Sequence, residues 1–467
     1  MQLLILEFLT LNLFRKMSEN TINKKEKDFS FKAYAWGQFK KNKAAIYSFY
    51  VLIFLIIIAL TAHFIANDQP LYAKYRGKTF YPAFQTYFNA TKTDSTINPT
   101  TGNWERLQFD ITDWKQLDAD NNFIWAPIPY SPEKPDRYNR EYVGPSSPQY
   151  YKNSAGNKVE APYKFRHHFG TDAIGRDVLS GLIHGTKVSL MVGVVSMGIA
   201  SLIGIILGAF AGFFGDKNLM SSRFRYYLTI LGVILGFFYA FIARSTALTE
   251  GFNDGIGSGL TQLLISFVVY IIVIIILNQL GRIKIPGFLG KDVSVPVDSI
   301  ISRGIEILNS MPRLLLIITI SAIMKERSLA ILMVIIGITS WTGIARFTRA
   351  EFLKIRELEF LQAAKALGYS DRRVMLKHAL PNGLAPVFVS IAFGIASAIL
   401  IESGLSFLGI GVPDDVVTWG SLLSLGRQEF EAWWLVMFPG AAIFITITIY
   451  NLIGEGLRDA LDPKLKQ

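Results

Sequence analysis

The sequence contains no cysteine, which excludes disulfides and thiol-ligated metal sites outright. Charge is scarce: Asp, Glu, Lys and Arg make up 18% of the 467 residues, where a soluble globular chain carries about 25%. Hydrophobic residues reach 51%, and the pairing points to a membrane protein. The five histidines, His63, His167, His168, His184 and His378, are scattered without HExxH or comparable ligand spacing, so no metal site is expected. The adjacent His167 and His168 read as a polar patch in an interface. The stretches nearest to a phosphate loop, "GFLGKD" and "GLIHGTK", do not fit GxxxxGK[ST], so no ATP is expected on this chain through a Walker motif. A GxSxG nucleophile setting is also missing, and no catalytic residue is assigned.

What is present are long apolar runs with cations beside them. The net charge of +11 does not mark a nucleic-acid partner, because lysines and arginines sit next to the runs, as Lys40, Lys41 and Lys43 do before Ile46. That is an orientation signal. The opening "MQLLILEFLTLNLFRK" is too short to cross a bilayer, is interrupted by Glu7 and is followed by no small-residue cleavage site. Met17 opens a more ordinary hydrophilic start, so the residues before it are given no role.

A helix rises about 1.5 Å per residue, so about 20 apolar residues cross about 30 Å of hydrocarbon. Candidate spans are 46–65, 188–212, 226–243, 261–280, 328–345, 384–402 and 433–453. An eighth, near 300–324, has only the short run "LLLIITISAIM", so its helix should begin earlier and carry Glu306, Asn309 and Arg313 into or near the membrane, facing protein. The expectation is an all-α polytopic membrane protein of about eight transmembrane helices with both termini on one side. Lys24, Lys25 and Lys27 near the start, and Arg346, Arg349, Lys354, Arg356, Lys365, Arg372, Arg373 and Lys377 in the 346–378 loop, make that side cytoplasmic.

The expected organisation follows. Residues 1–45 are a cytoplasmic segment, 46–65 the first span, 66–187 an extracytoplasmic, loop-rich mixed insertion ending in an interfacial helix, and 188–215 the second span. A hairpin of spans occupies 216–295, and 296–467 holds the remaining spans around a cytoplasmic loop at 346–383. In the interfacial helix Thr171 or Asp172 should cap, Asp172 and Arg176 should pair, and Ile174, Val178, Leu179, Leu182 and Ile183 should share a face until Gly185 turns the chain into the bilayer.

Gly204, Gly208 and Gly212 recur every fourth residue, and Ser390, Gly394 and Ala398 repeat the pattern; such faces let helices pack closely. Glu402, in "LIESGLSFLGIG", is an acid at membrane depth and so either lines a pathway or is hydrogen-bonded in the structure; the helix is expected to break there, beside Ser403 and Gly404. Trp419, Trp433 and Trp434 should flank the outer surface as interfacial aromatics.

The stretch "QAAKALGYSDRRVMLKHALP" interrupts the membrane pattern. Residues 351–367 read as one good helix former, Gly368 as its left-handed terminator, and Ser370 as the cap of a second helix with Asp371 and Arg372 in its first turn. Pro381, Asn382 and Gly383 should force a turn back into the bilayer. Together these predict a compact helix–turn–helix knob fit to dock in a cleft of another protein.

This stretch resembles the EAA signature of ABC importer permeases, EAA-x3-G-x9-I-x-LP. Gln362, Ala363, Ala364, Gly368, His378, Leu380 and Pro381 fall on its positions, with Gln362 replacing the glutamate and His378 the isoleucine. "HHFGTDAIGRDVLSGLIHGTKVSL" and "ESGLSFLGIGVPDDVVTWGSLL" look like the C-type permease subunit of oligopeptide, dipeptide and nickel importers. The resemblance covers about residues 30–65, 165–215 and 295–465. It implies the type I importer permease bundle in the cytoplasmic membrane, with a second homologous permease, two ATPase subunits that bind ATP and Mg, and an extracytoplasmic solute-binding protein as partners. The coupling helix would map to about Ser370–His378, hinged on Gly368. In this light the 226–280 hairpin is an addition and the 66–165 insertion is long. Peptides are the expected solute, with nickel or another small solute the alternative; a stand-alone secondary transporter or channel, and a membrane scaffold, are the competing classes.

Overall fold

The computed structural model describes residues 31–88, 93–97, 104–118, 122–153, 156–254, 256–323, 328–413 and 416–461. The expectations for the opening apolar run, Met17 and Lys24–Lys27 lie outside these residues. Among the described residues, seven helices are long and apolar enough to cross a membrane, or eight if one bent pair counts as a span. The chain is an all-α polytopic membrane protein.

Helix α1 (Phe31–Lys41) leads into the first span, α2 (Lys43–Ile65). Asn42 separates them and caps α2, accepting the Ala45 N–H at 3.1 Å. Beyond α2 lies a small folded region with, among the described residues, three two-stranded antiparallel hairpins. They are β1–β2 (Ala73–Tyr75 with Lys78–Phe80), β3–β4 (Thr93–Ile97 with Trp104–Gln108) and β5–β6 (Tyr150–Lys152 with Lys158–Glu160). Strands this short cannot hold a sheet alone; an aromatic core of Phe80, Phe109, Trp114, Phe123, Trp125 and Phe165 holds them together.

The predicted interfacial helix does not exist. Helix α3 runs unbroken from Val178 to Phe214, about 55 Å at 1.5 Å per residue, longer than the hydrocarbon is thick. Its cap is Asp177, which accepts the Ser180 N–H at 2.6 Å, and not Thr171 or Asp172. Asp172 and Arg176 do pair, at 2.6 Å, but across a turn that precedes the helix. Gly185 stays helical because the Trp419 ring fills the space of its missing side chain: a β-carbon there would lie 2.8 Å from the indole Cδ1.

The hairpin expected over 216–295 consists of α4 (Arg223–Phe237), prolonged by a π-helical turn through Ile242, and α5 (Ile256–Leu280). Its two ends are joined by β7–β8, Met220–Ser222 against Asp292–Ser294. The ambiguous span is broken: α6 (Val297–Ser310) and α7 (Arg313–Ile323) meet at 83°. Pro312 is the cause, since it holds Met311 extended and ends α6. Of the three polar residues expected to face protein, only Asn309 reaches a span, accepting from the Thr342 hydroxyl at 3.1 Å. Glu306 is exposed and paired with Arg303, and Arg313 is exposed.

The bundle centre is α3 against α8 (Leu329–Ile355). The two run parallel, since contacts advance in step along both: Ser196 hydrogen-bonds the Met333 carbonyl, Gly204 meets Trp341 and Ile344, Gly208 meets Ala345 and Thr348, and Gly212 meets Arg349 and Phe352. The expected small-residue packing face is present. Gly394 of α10 (Ala385–Phe407) receives the Met197 side chain, and Phe393 packs on Gly454 of α12 (Trp434–Leu461). Between those spans α11 (Trp419–Gly426) is closed by a Thr418–Ser421 capping box.

The tryptophans differ from expectation. Trp419 and Trp434 are buried, donating to the Leu182 and Thr171 carbonyls at 3.0 Å each, and only Trp433 is exposed. Both buried indoles satisfy their N–H on the first turns of α3 or the turn before it, so they join elements instead of meeting lipid. At Glu402 the expected helix break is not found, since α10 continues through it to Phe407, while the fully buried carboxylate is hydrogen-bonded, accepting the Ser406 hydroxyl at 2.8 Å.

A knob seated on the ends of two spans

At the end of the bundle away from the β-hairpins, α8 runs to Ile355 and the chain folds into two short helical pieces. The helix predicted over 351–367 is split. Arg356 ends α8, Leu358 is extended, and α9 (Glu359–Ala366) begins anew. The split has an energetic reason. It turns Leu361 and Ala364 inward onto Phe213, Phe352 and Ile355, and Leu361 becomes fully buried. Burying a leucine side chain contributes about 1.5–3 kcal/mol, and the split keeps local hydrogen bonds, the Leu358 N–H reaching the Ile355 carbonyl at 2.9 Å and the Leu361 N–H the Leu358 carbonyl at 3.0 Å.

Gly368 has φ +80°, and nothing lies within 4 Å of where its β-carbon would stand. Crowding does not require glycine here; backbone handedness does. The Tyr369 N–H reaches the Ala364 carbonyl at 3.2 Å and the Gly368 N–H reaches Lys365 at 2.9 Å, the paired bonds of a Schellman end.

The second piece is helical from 371 to 383, but it is not one α-helix. Asp371–Arg373 is α-helical, Val374–Ala379 is a π-helical turn and Leu380–Gly383 is α-helical again. Ser370 stands at the cap position without a side-chain bond to the helix. Pro381, Asn382 and Gly383 do not form a turn: they continue the helical piece, the Asn382 side-chain amide donates to the His378 carbonyl at 2.7 Å, and the chain bends at Leu384. The wider π turn sets Val374, Met375 and Ala379 on the common core with Leu361. Gly383 belongs to the same seat, since a β-carbon there would lie 2.9 Å from the Phe352 ring.

Of the residues singled out in the sequence, Ala364 and Leu380 turn inward. Gln362, Ala363, Gly368, Ser370, Asp371, Arg372 and Pro381 are exposed together on the outer side. His378 is half-buried, its ring stacked on Tyr369 at 6.0 Å, so it braces the Gly368 bend. Lys365 lies 3.8 Å from Asp371 and 5.0 Å from the Phe213 ring, linking both pieces to α3. The outer face mixes apolar side chains, Leu367 at 75% exposure with Tyr369 and Leu376, and the cations Arg372, Arg373 and Lys377. That composition suits a protein cleft better than lipid or water alone.

At the opposite end, sequence reasoning missed a buried cluster. His167 is no interface patch. It is fully buried, with Nδ1 2.8 Å from Asp177 and Nε2 3.2 Å from Asp136, and its ring stacks on Tyr130 at 3.9 Å. Burial alone would lower its pKa, but the hydrogen bonds to Asp136 and Asp177 outweigh burial and raise it above the ordinary histidine value. Burial works to raise Asp136 in turn, and the bonds from His167, the Tyr138 N–H and Asn139 leave it lowered. Burial brings the nearby Lys115 ammonium down to about 8, with its nitrogen 3.5 Å from the centre of the Tyr130 ring. The partners of His167 lie 31 residues before it and 10 after it, a separation no local motif reveals.

The fold is a bundle of apolar spans packed through small residues, with a folded seat on the ends of two of them. The chain belongs to the family of binding-protein-dependent permeases: residues 283–467 match the family described as "Binding-protein-dependent transport system inner membrane component", and residues 30–86 match "N-terminal TM domain of oligopeptide transport permease C". It is 30% identical over 322 residues to the dipeptide transport system permease protein DppC of Alkalihalophilus pseudofirmus, covering 69% of this chain and 79% of that one. With the inner membrane ABC transporter permease protein YejE of Escherichia coli it shares 26% identity over 433 residues, 92% of this chain and 96% of the other. The oligopeptide transport system permease protein OppC of Haemophilus influenzae is 29% identical over 299 residues, 64% and 70% of the two chains. The chain is thus a multi-pass inner-membrane permease subunit of an ABC importer.

Proposed function

We propose that this subunit moves peptides across the cytoplasmic membrane, driven by ATP hydrolysis on separate ATPase subunits that carry the ATP and Mg. The knob formed by α9 and the 371–383 piece is their docking element, with Gln362, Ala363, Gly368, Asp371 and Arg372 facing the ATPase and Ala364, His378 and Leu380 holding the knob in shape. In this reading the knob and both termini are cytoplasmic, and the β-hairpin region lies outside, where a solute-binding protein delivers the peptide. A second, homologous permease completes the pathway.

One observation carries the reading: the knob core is continuous with Ala209 and Phe213 of α3 and Phe352 and Ile355 of α8. A displacement of the knob therefore moves the two central spans together, and their parallel contact transmits it along their length. Binding energy of nucleotide on the partner then biases one of two bundle arrangements over the other.

The test is Gly368→Val. A β-branched residue at φ +80° is strained, yet it touches nothing else. Normal membrane insertion, with loss of ATPase co-purification or of ATP-driven peptide uptake in reconstituted vesicles, is expected. Unchanged uptake and unchanged co-purification would overturn the docking role.

A further inference from the structure

Where the α4–α5 hairpin meets the bundle, a cavity of about 290 Å³ opens between α4 and α6. Its lining divides by chemistry. Arg225, Tyr226, Ser221 and Asn278 bring polar groups, while Val233 and Ile300 belong to an apolar wall. Val233 and Ile300 are 43% and 56% exposed, so that wall opens onto the surface that faces hydrocarbon in a membrane-spanning hairpin.

Arg225 is the unusual feature. Its guanidinium is half-buried in the first turn of a span, yet among the described residues no carboxylate pairs with it. Its partner is a neutral amide: Nε and Nη2 donate to the Asn278 side-chain oxygen at 3.2 and 2.7 Å. Asn278 is itself fixed, donating to the Thr229 hydroxyl at 2.9 Å, which donates to the Arg225 carbonyl at 2.7 Å. The arrangement orients the fork and leaves its charge uncompensated. Around it, residues 215–225 and 281–294 carry six cations, Lys217, Arg223, Arg225, Arg282, Lys284 and Lys291, against Asp216 and Asp292. Asp216 is occupied with both the N–H and the hydroxyl of Ser299.

A fixed guanidinium at the rim of a span, with an apolar groove running from it, fits one amphipathic anion available at every membrane. We propose that this cavity holds an anionic phospholipid, its phosphate on Arg225 and the start of its acyl chain along Val233 and Ile300. The bound lipid fills the gap between the hairpin and the bundle and so fixes the hairpin against α6. A volume of about ten waters accommodates a headgroup and the first methylenes, with the rest of the chain in the bilayer.

The experiment uses the full chain, purified from membranes with the subunits it retains, and measures lipid adducts by native mass spectrometry with phosphatidylglycerol, phosphatidylcholine or inorganic phosphate as probe. Phosphatidylglycerol should be retained in preference to phosphatidylcholine. Arg225→Gln should lower its retention about fivefold, the effect of one cation near a lipid headgroup. Val233→Trp, which blocks the apolar wall and keeps the charge, should lower it as well, and this second variant decides the matter if Arg225→Gln does not fold. Equal retention of both lipids, or retention unchanged in the folded variants, overturns the proposal. Displacement of the lipid by inorganic phosphate at equal concentration also overturns it, because the site would then read the anion alone.

Discussion

A β-carbon on Gly208 would lie 2.5 Å from the Ala345 carbonyl oxygen and 2.7 Å from Thr348 Cβ, and neither can retreat without separating α3 from α8. Gly198 lies on the same helix with nothing within 4 Å. Gly208→Val is therefore expected to destabilise the protein by about 1–3 kcal/mol or more, read as a lower melting temperature in detergent, while Gly198→Val leaves it nearly unchanged. Equal behaviour of the two would contradict the close-packed seam. His167 supplies a pH dependence of definite sign. Its folded pKa lies above the unfolded one, so its stabilisation is complete below the unfolded value of about 6.5 and is lost as pH rises through the raised folded value. Asp136 acts oppositely: its contribution is present above the unfolded carboxylate pKa and is lost as pH falls through its lowered folded one. Amide exchange across 130–180 should accelerate on both sides of a window, and His167→Gln should remove the alkaline limb. An unchanged alkaline limb in that variant would refute the assignment.

At the scale of elements, the knob is seated on the ends of α3 and α8 at Phe213 and Phe352, and Leu361 is its own contribution to that shared core. Leu361 is fully buried in it, so Leu361→Ala should cost about 2–5 kcal/mol locally. The expected result is faster limited proteolysis within 356–384, with span packing intact and ATP-driven uptake reduced. Unchanged proteolysis would show that Leu361 does not hold the knob on that seat. The same element shows why a continuous helix over 351–367 fails as an expectation. Helix propensity there is good at every position, but continuing α8 straight would leave Leu361 and Ala364 without Phe213 and Phe352 to pack on. Tertiary burial outweighs local preference.

At the scale of the whole molecule, the hairpin α4–α5 is attached through the antiparallel pair β7–β8, where Ser222 faces Asp292. Those two residues can be bridged by a two-residue Asn-Gly turn. Removing 223–291 in this way should leave membrane insertion and the α3–α8 core intact, since the hairpin helices pack mainly on each other. The melting temperature in phosphatidylcholine nanodiscs should stay within a few degrees, and selective retention of phosphatidylglycerol should vanish. Failure of the shortened chain to insert would show that the hairpin is part of the fold's core.

The sequence by itself determined the seven unbroken spans, the packing face at Gly204, Gly208 and Gly212, the left-handed end at Gly368 and the family, because each depends on composition or on spacing within one helix. Local strength of signal also pointed to a loop-rich 66–187: its described strands are three to five residues long, although α3 already begins at Val178. Only the tertiary structure decided the unbroken α3, the 83° break before Arg313, the split at Leu358 and the burial of Trp419, Trp434 and His167. Each of these is settled by a partner distant in the chain, Trp419 for Gly185 and Asp136 for His167 among them. A helix end or a buried charge takes its energy from what packs against it, and in a bundle this long that neighbour is rarely close in sequence.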